Sequence, residues 1–302
     1  MKKTNYYVRE QECEDKFRSL GNVYNANTPE NHPLIFTKDD DFKAGMTILG
    51  ICCLEYPDVK LYAFQLMSNH FHAVLGGMES RIQEFFGFFA SRLGKYFGAG
   101  LITDDFKLKL FPIDNLAYLR NAISYVNRNG FVVNDNVTPF SYPWGSGSYF
   151  FQPMVKRLAL MSDGTLGVKS VRTLMHSRYL DHYKDMPLVD GYICPLLYCD
   201  IESSEHLFRD AKHYFYLISR NVESFSEIAK SIGETVFYSD SDLFLVANKY
   251  AKTNYGTSRL SDLDSLQKIE LAKKLHYDYN AGDKQLQRLL RLSQDVVDAL
   301  FA

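Results

Sequence analysis

The chain reads as an α+β protein, an antiparallel sheet domain followed by an all-helical region. Two observations carry this reading. Apolar, β-prone runs separated by a turn occupy residues 62–75, and helical-period apolar stripes follow at 80–97 and 114–128. From Ser204 to the end, every segment suits a helix. At 302 residues the chain is long for one compact domain and suggests two. A hydrophobic content of 46% with 15% aromatics supports real cores and excludes global disorder. The expected divisions are a sheet domain over 1–155, a connecting region over 156–203 and a helical domain over 204–302. The break is expected at Gly145-Ser146-Gly147-Ser148.

Each element has a local reason. An Asn/Pro-rich stretch from Asn25 to His32 predicts a loop. Asp39-Asp40-Asp41 predicts a helix start, acidic where the dipole favours it, with Phe42, Met46, Ile48 and Leu49 on its apolar face. Tyr62 to Met67 and His70 to Leu75 predict two strands, with Ser68-Asn69 as the turn. Gly76-Gly77 ends the second strand. Ile82, Phe85, Phe86, Phe89, Leu93 and Phe97 form the stripe of a helix over 80–97, closed by Gly98-Ala99-Gly100. Asp114 is a credible cap for a helix to Arg128, whose stripe is Leu116, Leu119, Ile123 and Val126. Tyr125 falls far from that stripe, and Asn121 and Asn129 sit four residues to either side of it. All three share one non-core face.

His70-Phe71-His72 carries the chemistry. Side chains two apart in a strand project to one face, so the two imidazoles point together and Phe71 points away. Two imidazoles on a rigid strand make half of a metal site; the plainer reading is a pair of surface or core histidines. A histidine-triad hydrolase would need a third His where Val74 stands.

The stretch Met67-Ser68-Asn69-His70-Phe71-His72-Ala73-Val74-Leu75 resembles the His-hydrophobic-His signature of the IS200-like and REP-associated tyrosine transposases, which commonly have Pro at the place of Ser68. Two further islands follow in the same order. Tyr125-Val126-Asn127-Arg128-Asn129-Gly130 resembles the family's tyrosine helix, without the Pro-Val that usually follows its Asn. Tyr142-Pro143-Trp144 through Tyr149 resembles its Tyr-Pro-Trp-Ser-Ser-Tyr segment and holds the only Trp. The resemblance covers roughly residues 5 to 150.

That resemblance implies a ferredoxin-like sheet and a single-strand DNA nicking and joining enzyme. Tyr125 would be the nucleophile, forming a 5′-phosphotyrosine and freeing a 3′-OH. His70 and His72, with Asn129 as a third ligand, would hold Mg²⁺ or Mn²⁺ at the scissile phosphate. The expected partners are single-stranded or hairpin DNA and, between copies, a homodimer. Arg92, Lys95, Lys107, Lys109 and Arg128 are candidate DNA contacts, each also readable as ordinary solvated surface. Lys284–Leu290 and Gln294–Leu300 resemble a helix-turn-helix, although Asp295 and Asp298 would repel phosphates.

Charge and localisation set bounds. The formal net charge of −2 leaves no globally basic surface, so a DNA contact must use a local patch. Five cysteines without Cys-x-x-Cys spacing read as reduced packing residues of a cytoplasmic protein. The basic N-terminus has no apolar stretch after it, and no run approaches the roughly 20 apolar residues of a membrane span. Two rival functions stay open: a non-catalytic DNA-binding or regulatory protein on the same scaffold, and a metal-dependent phosphoesterase without a covalent step. An open basic cleft beside His70 and His72 would favour strand nicking, and an occluded or acidic one a rival.

Overall fold

The computed structural model describes residues 3–98, 100–133, 142–161, 163–220, 238, 240–257 and 259–301. Its contacts divide the chain into two units, residues 1–131 with 136–218, and residues 132–135 with 219–302.

The first unit is α+β. It runs α1 (Lys3–Ser19), β1 (Val23–Asn27), α2 (Asp39–Glu55), β2 (Lys60–Leu66), β3 (Phe71–Gly76), α3 (Glu79–Phe97), β4 (Lys109–Pro112) and α4 (Leu116–Val133). The four strands make one antiparallel sheet in the order β2-β3-β1-β4. The β2–β3 hairpin closes tightly, with Met67 N–H donating to His70 O at 2.9 Å. β1 and β2 run in the same direction with β3 between them, so α2 is a crossover; α3 crosses likewise from β3 to β4. Phe86 and Phe89 of α3 pack on Phe71, and α2 lies beside α3. This phenylalanine layer is the main core.

The stretch expected to be a loop from Asn25 is a strand as far as Asn27. Asparagine is depleted in strands, so local propensity pointed the wrong way. Pairing with β3 on one side and β4 on the other overrides it.

The Gly/Ser stretch is not a domain boundary. It covers the edge of the sheet. Leu66 N–H donates to Trp144 O at 2.8 Å, and Ser146 N–H donates to Phe64 O at 3.0 Å. A Cβ on Gly145 would stand 2.7 Å from Phe64 O, so glycine is there for backbone approach rather than for flexibility. Residues 156–203 are likewise built into this unit instead of connecting two others. They include α5 (Pro153–Ala159), α6 (Val168–Met175) and a small sheet of β5 (Gly164–Thr165), β6 (Pro187–Val189) and β7 (Tyr192–Ile193). Beyond them, Asp200 N–H donates to Leu61 O at 2.7 Å, and Ser204 Oγ donates to Tyr62 O at 2.8 Å. The open edge of β2 is the physical reason: its unpaired backbone groups draw the returning chain.

α7 (Ile201–Glu205) and α8 (Ala211–Arg220) complete the first unit's described elements, so part of the expected 204–302 domain belongs here. In the second unit the described residues form helices Asp240–Tyr255, Ser265–Tyr279, Asp283–Leu290 and Gln294–Phe301. Asp264 caps one of them by accepting from Gln267 N–H at 2.9 Å, with Gln267 reaching back to Asp264 N–H. Arg291 stands between the last two helices with φ 54°, a left-handed backbone. Residues 221–237, expected to be helical with the rest of the region after Ser204, lie outside the described residues. All five cysteines are buried free thiols. No helix among the described residues is long and apolar enough to cross a membrane.

Candidate metal and tyrosine site

The site grows out of the alternation of β3. Phe71, Ala73 and Leu75 enter one face of the sheet, and His72 and Val74 the other. Cross-strand register then sets Gln65, His72, Asn27 and Lys109 in one row across all four strands. Three members of that row, Gln65, His72 and Asn27, are buried, and Lys109 at the edge is exposed.

His70 lies just before β3, in the hairpin turn. Its Nε2 is 3.0 Å from Nε2 of His72, with the two rings nearly perpendicular at 79°. Two nitrogens bound at right angles to one ion, each at about 2.1 Å, would be separated by about 3 Å. Asn129 comes from α4, and its Nδ2 stands 3.0 Å from His72 Nε2. The structure therefore brings His70, His72 and Asn129 together. Among the described residues no group of three or more His, Cys, Asp or Glu is placed to hold a metal, so this centre depends on amides. The imidazole pair fits a cation. Asn129 fits after its amide makes half a turn, because only Oδ1 can serve as a ligand.

Tyr125, one helical turn before Asn129, sets its ring edge-on to His72, with centroids 5.9 Å apart. Its residue is only 3% exposed and His72 1%. The face that reads as non-core is therefore buried. α4 has cover on more than one side, and a helix so placed has no free polar face. On one side Arg120 donates from Nη1 to Glu10 Oε1 at 2.6 Å and from Nε to Leu207 O at 2.6 Å, tying α4 to α1 and to the segment after α7. On another, Asn127 donates to Tyr214 Oη at 3.1 Å and accepts from Ser146 Oγ at 2.7 Å.

Burial sets the charge state of the histidines. Desolvation pulls His72 from its ordinary value near 6.5 to about 3. Desolvation first, and the neighbouring His72 second, pull His70 to about 2. Both imidazoles are thus neutral near pH 7, the form that has a lone pair to give.

Asn69 is a residue that reads from sequence only as part of a turn. Its Nδ2 donates to His32 O at 2.9 Å and also to Glu30 O, clipping the loop after β1 to the hairpin. Its Oδ1 faces His70 Nδ1 at 2.8 Å. An amide oxygen can only accept, so Nδ1 carries the proton and Nε2 of His70 keeps its lone pair toward His72. The available signal was an amide directly before a candidate ligand. Gln65 and Asn27 gave no signal, since register alone brings them beside His72.

The candidate DNA contacts scatter. Arg92 donates to Met175 O at 2.8 Å and stacks over Phe88, so it ties α3 to α6. Arg92 and the exposed Lys95 both belong to α3, which covers the Phe71 face, opposite the histidines. Arg128 is buried and offers no surface charge. Lys107 is exposed, and Lys109 stands on the histidine face about 10 Å from His72 by two strand spacings. Comparison with family models, with characterised proteins and with solved structures gave no match.

Proposed function

We propose that the chain nicks and rejoins single-stranded DNA through Tyr125, with a divalent cation held by His70, His72 and Asn129. The observation that carries this reading is the convergence of two neutral imidazoles, an amide and a tyrosine on one face of a four-stranded sheet. The element order, two split crossovers in a sheet ordered β2-β3-β1-β4, agrees with a ferredoxin-like arrangement and with the transposase resemblance of the three motifs. A bound Mg²⁺ or Mn²⁺ would polarise the scissile phosphate. Tyr125 Oη would attack phosphorus as the bond to the 3′-oxygen breaks, and the departing oxygen would take up a proton. The bond energy stays in the phosphotyrosine, so rejoining needs no nucleotide. α4 carries both Tyr125 and Asn129, which fixes nucleophile and ligand to one rigid element.

A second reading has its own support. Tyr125 and His72 are buried, and the formal net charge is −2, which suits a DNA-binding or regulatory scaffold that has lost the reaction. One experiment separates the two: incubation with labelled single strands and hairpins plus Mn²⁺, followed by denaturing electrophoresis. Strand nicking predicts a protein-linked strand in the wild type and none in Tyr125→Phe, with DNA binding retained. An adduct that persists in Tyr125→Phe rules out the assignment. Binding without an adduct selects the scaffold reading, and cleavage without an adduct selects a phosphoesterase.

A further inference from the structure

The second unit contains a cavity of about 780 Å³ bordered by helices Asp240–Tyr255 and Asp283–Leu290, by residues 259–261 and by Lys268. That volume lies in the range of small-ligand sites. Its charge is one-sided. Among the described residues, Arg259, Lys268, Arg288 and Arg291 line it against a single carboxylate, Asp240. Asp240 is engaged with Arg288, which donates to it from Nε at 2.7 Å and from Nη2 at 3.0 Å. No ion pair is formed by Arg259, Lys268 or Arg291 among the described residues. Three cations therefore face one hollow in a chain whose formal net charge is −2.

The rest of the lining is neither uniformly polar nor closed. Phe244 is 51% exposed and presents a ring at the cavity. One turn further along the same helix, Asn248 Oδ1 is shielded from solvent and accepts no hydrogen bond among the described residues. A buried carbonyl oxygen without a donor is a costly group unless a ligand supplies one. Arg291 holds its guanidinium at the end of a helix in a left-handed backbone, a position where glycine is the usual residue.

We propose that this cavity binds a nucleotide. Arg259, Lys268 and Arg291 meet its phosphate, the base lies on Phe244, and Asn248 Oδ1 accepts from a base amino group. A flat ring, cations and a buried acceptor are together what a nucleoside phosphate needs, and the cations alone would suit any anion. The same chemistry arises from a free nucleotide or from an unpaired residue of a single strand. The site does not depend on His70, His72 or Tyr125.

The test uses the full chain and fluorescence anisotropy with a fluorescein-labelled dC15 strand, whose bases carry an amino group, and, separately, titration calorimetry with dAMP and dCMP. The variants are Arg259→Ala with Lys268→Ala and Arg291→Gly combined, Phe244→Ala, and, as a control, Lys252→Ala, an exposed cation on the helix Asp240–Tyr255 outside the cavity lining. Arg291→Gly suits the left-handed backbone, Phe244 is half exposed, and circular dichroism checks that helix content is kept. The expected result is that the triple variant loses at least tenfold in affinity and flattens the salt dependence by about 2 in slope. Phe244→Ala should lose about tenfold, and Lys252→Ala should bind as wild type. Mononucleotide binding abolished by the triple variant identifies a free nucleotide as sufficient. Strand binding alone, with the same variant effects, identifies an unpaired residue of a strand. Wild-type affinity and salt slope in the folded triple variant, or no binding of either probe by the wild type, overturns the proposal.

Discussion

The two faces of the first sheet differ in what they do, although the same strand supplies both. Phe71 packs on Phe86 and Phe89 with ring centroids 6.4 and 5.8 Å away, in a layer built mainly of aromatic rings. One residue along, His72 enters a face lined by Asn25, Asn27 and Gln65, all buried. The first face excludes water and gives up nothing in return, so it stabilises the fold. The second buries imidazoles and amides whose desolvation opposes folding. Asn25 shows this most clearly, since both of its amide atoms are shielded and neither has a hydrogen-bond partner among the described residues. Apolar stability on one face thus offsets polar burial on the other, the pattern expected where a rigid scaffold positions chemistry.

The largest effect expected from breaking this asymmetry is at Phe89. Phe89→Ala should cost about 3–5 kcal/mol in urea unfolding, because a fully buried ring leaves a cavity between α3 and β3. A loss near zero would mean that the apolar face is not the stabilising one.

Acid should weaken the fold through the polar face. The folded-state values of His70 and His72 lie below the ordinary value near 6.5, at about 2 and about 3. Above pH 6.5 neither state binds the protons and stability does not depend on them. Below it the unfolded chain takes up protons that the folded chain refuses, so stability falls toward pH 3 by about 1.4 kcal/mol per pH unit for each imidazole. Urea midpoints at pH 7.5, 5.5 and 4.5 measure this slope, and His72→Gln should make it shallower. An unchanged slope in that variant would assign the acid sensitivity elsewhere.

A change in the opposite direction is expected at Asn25. Asn25→Val replaces an unpaired buried amide, opposite Val74 and Phe111, with a β-branched apolar side chain. Stability should rise by about 1–3 kcal/mol. Destabilisation would show that the amide has a role that Val cannot fill.

The smallest effect concerns Asn69. Asn69→Ala frees His70 Nδ1 from the group that fixes its proton, and Mn²⁺ affinity should fall about tenfold with little change in the urea midpoint. Mn²⁺ titration followed by electron paramagnetic resonance reads this directly. Equal affinity in wild type and variant would reduce Asn69 to a turn residue.

Sequence alone determined the features that depend on local period. The alternation around His70-Phe71-His72 put both imidazoles on one side. The 3.6-residue period placed Tyr125 and Asn129 on one face of α4, and the phenylalanine spacing gave α3. These are properties of a strand or helix considered by itself, so they need no knowledge of neighbours. Tertiary structure alone decided what those faces meet. It made Asn25 and Asn27 strand residues by pairing them on both sides, and it buried Tyr125 by covering α4. It turned Gly145 from an apparent linker into the close contact that seals β2, and carried the first unit on to residue 218. It also separated Arg92 and Lys95 from the histidines by the thickness of the sheet. Burial and pairing are set by residues far apart in the chain, and no local period encodes them.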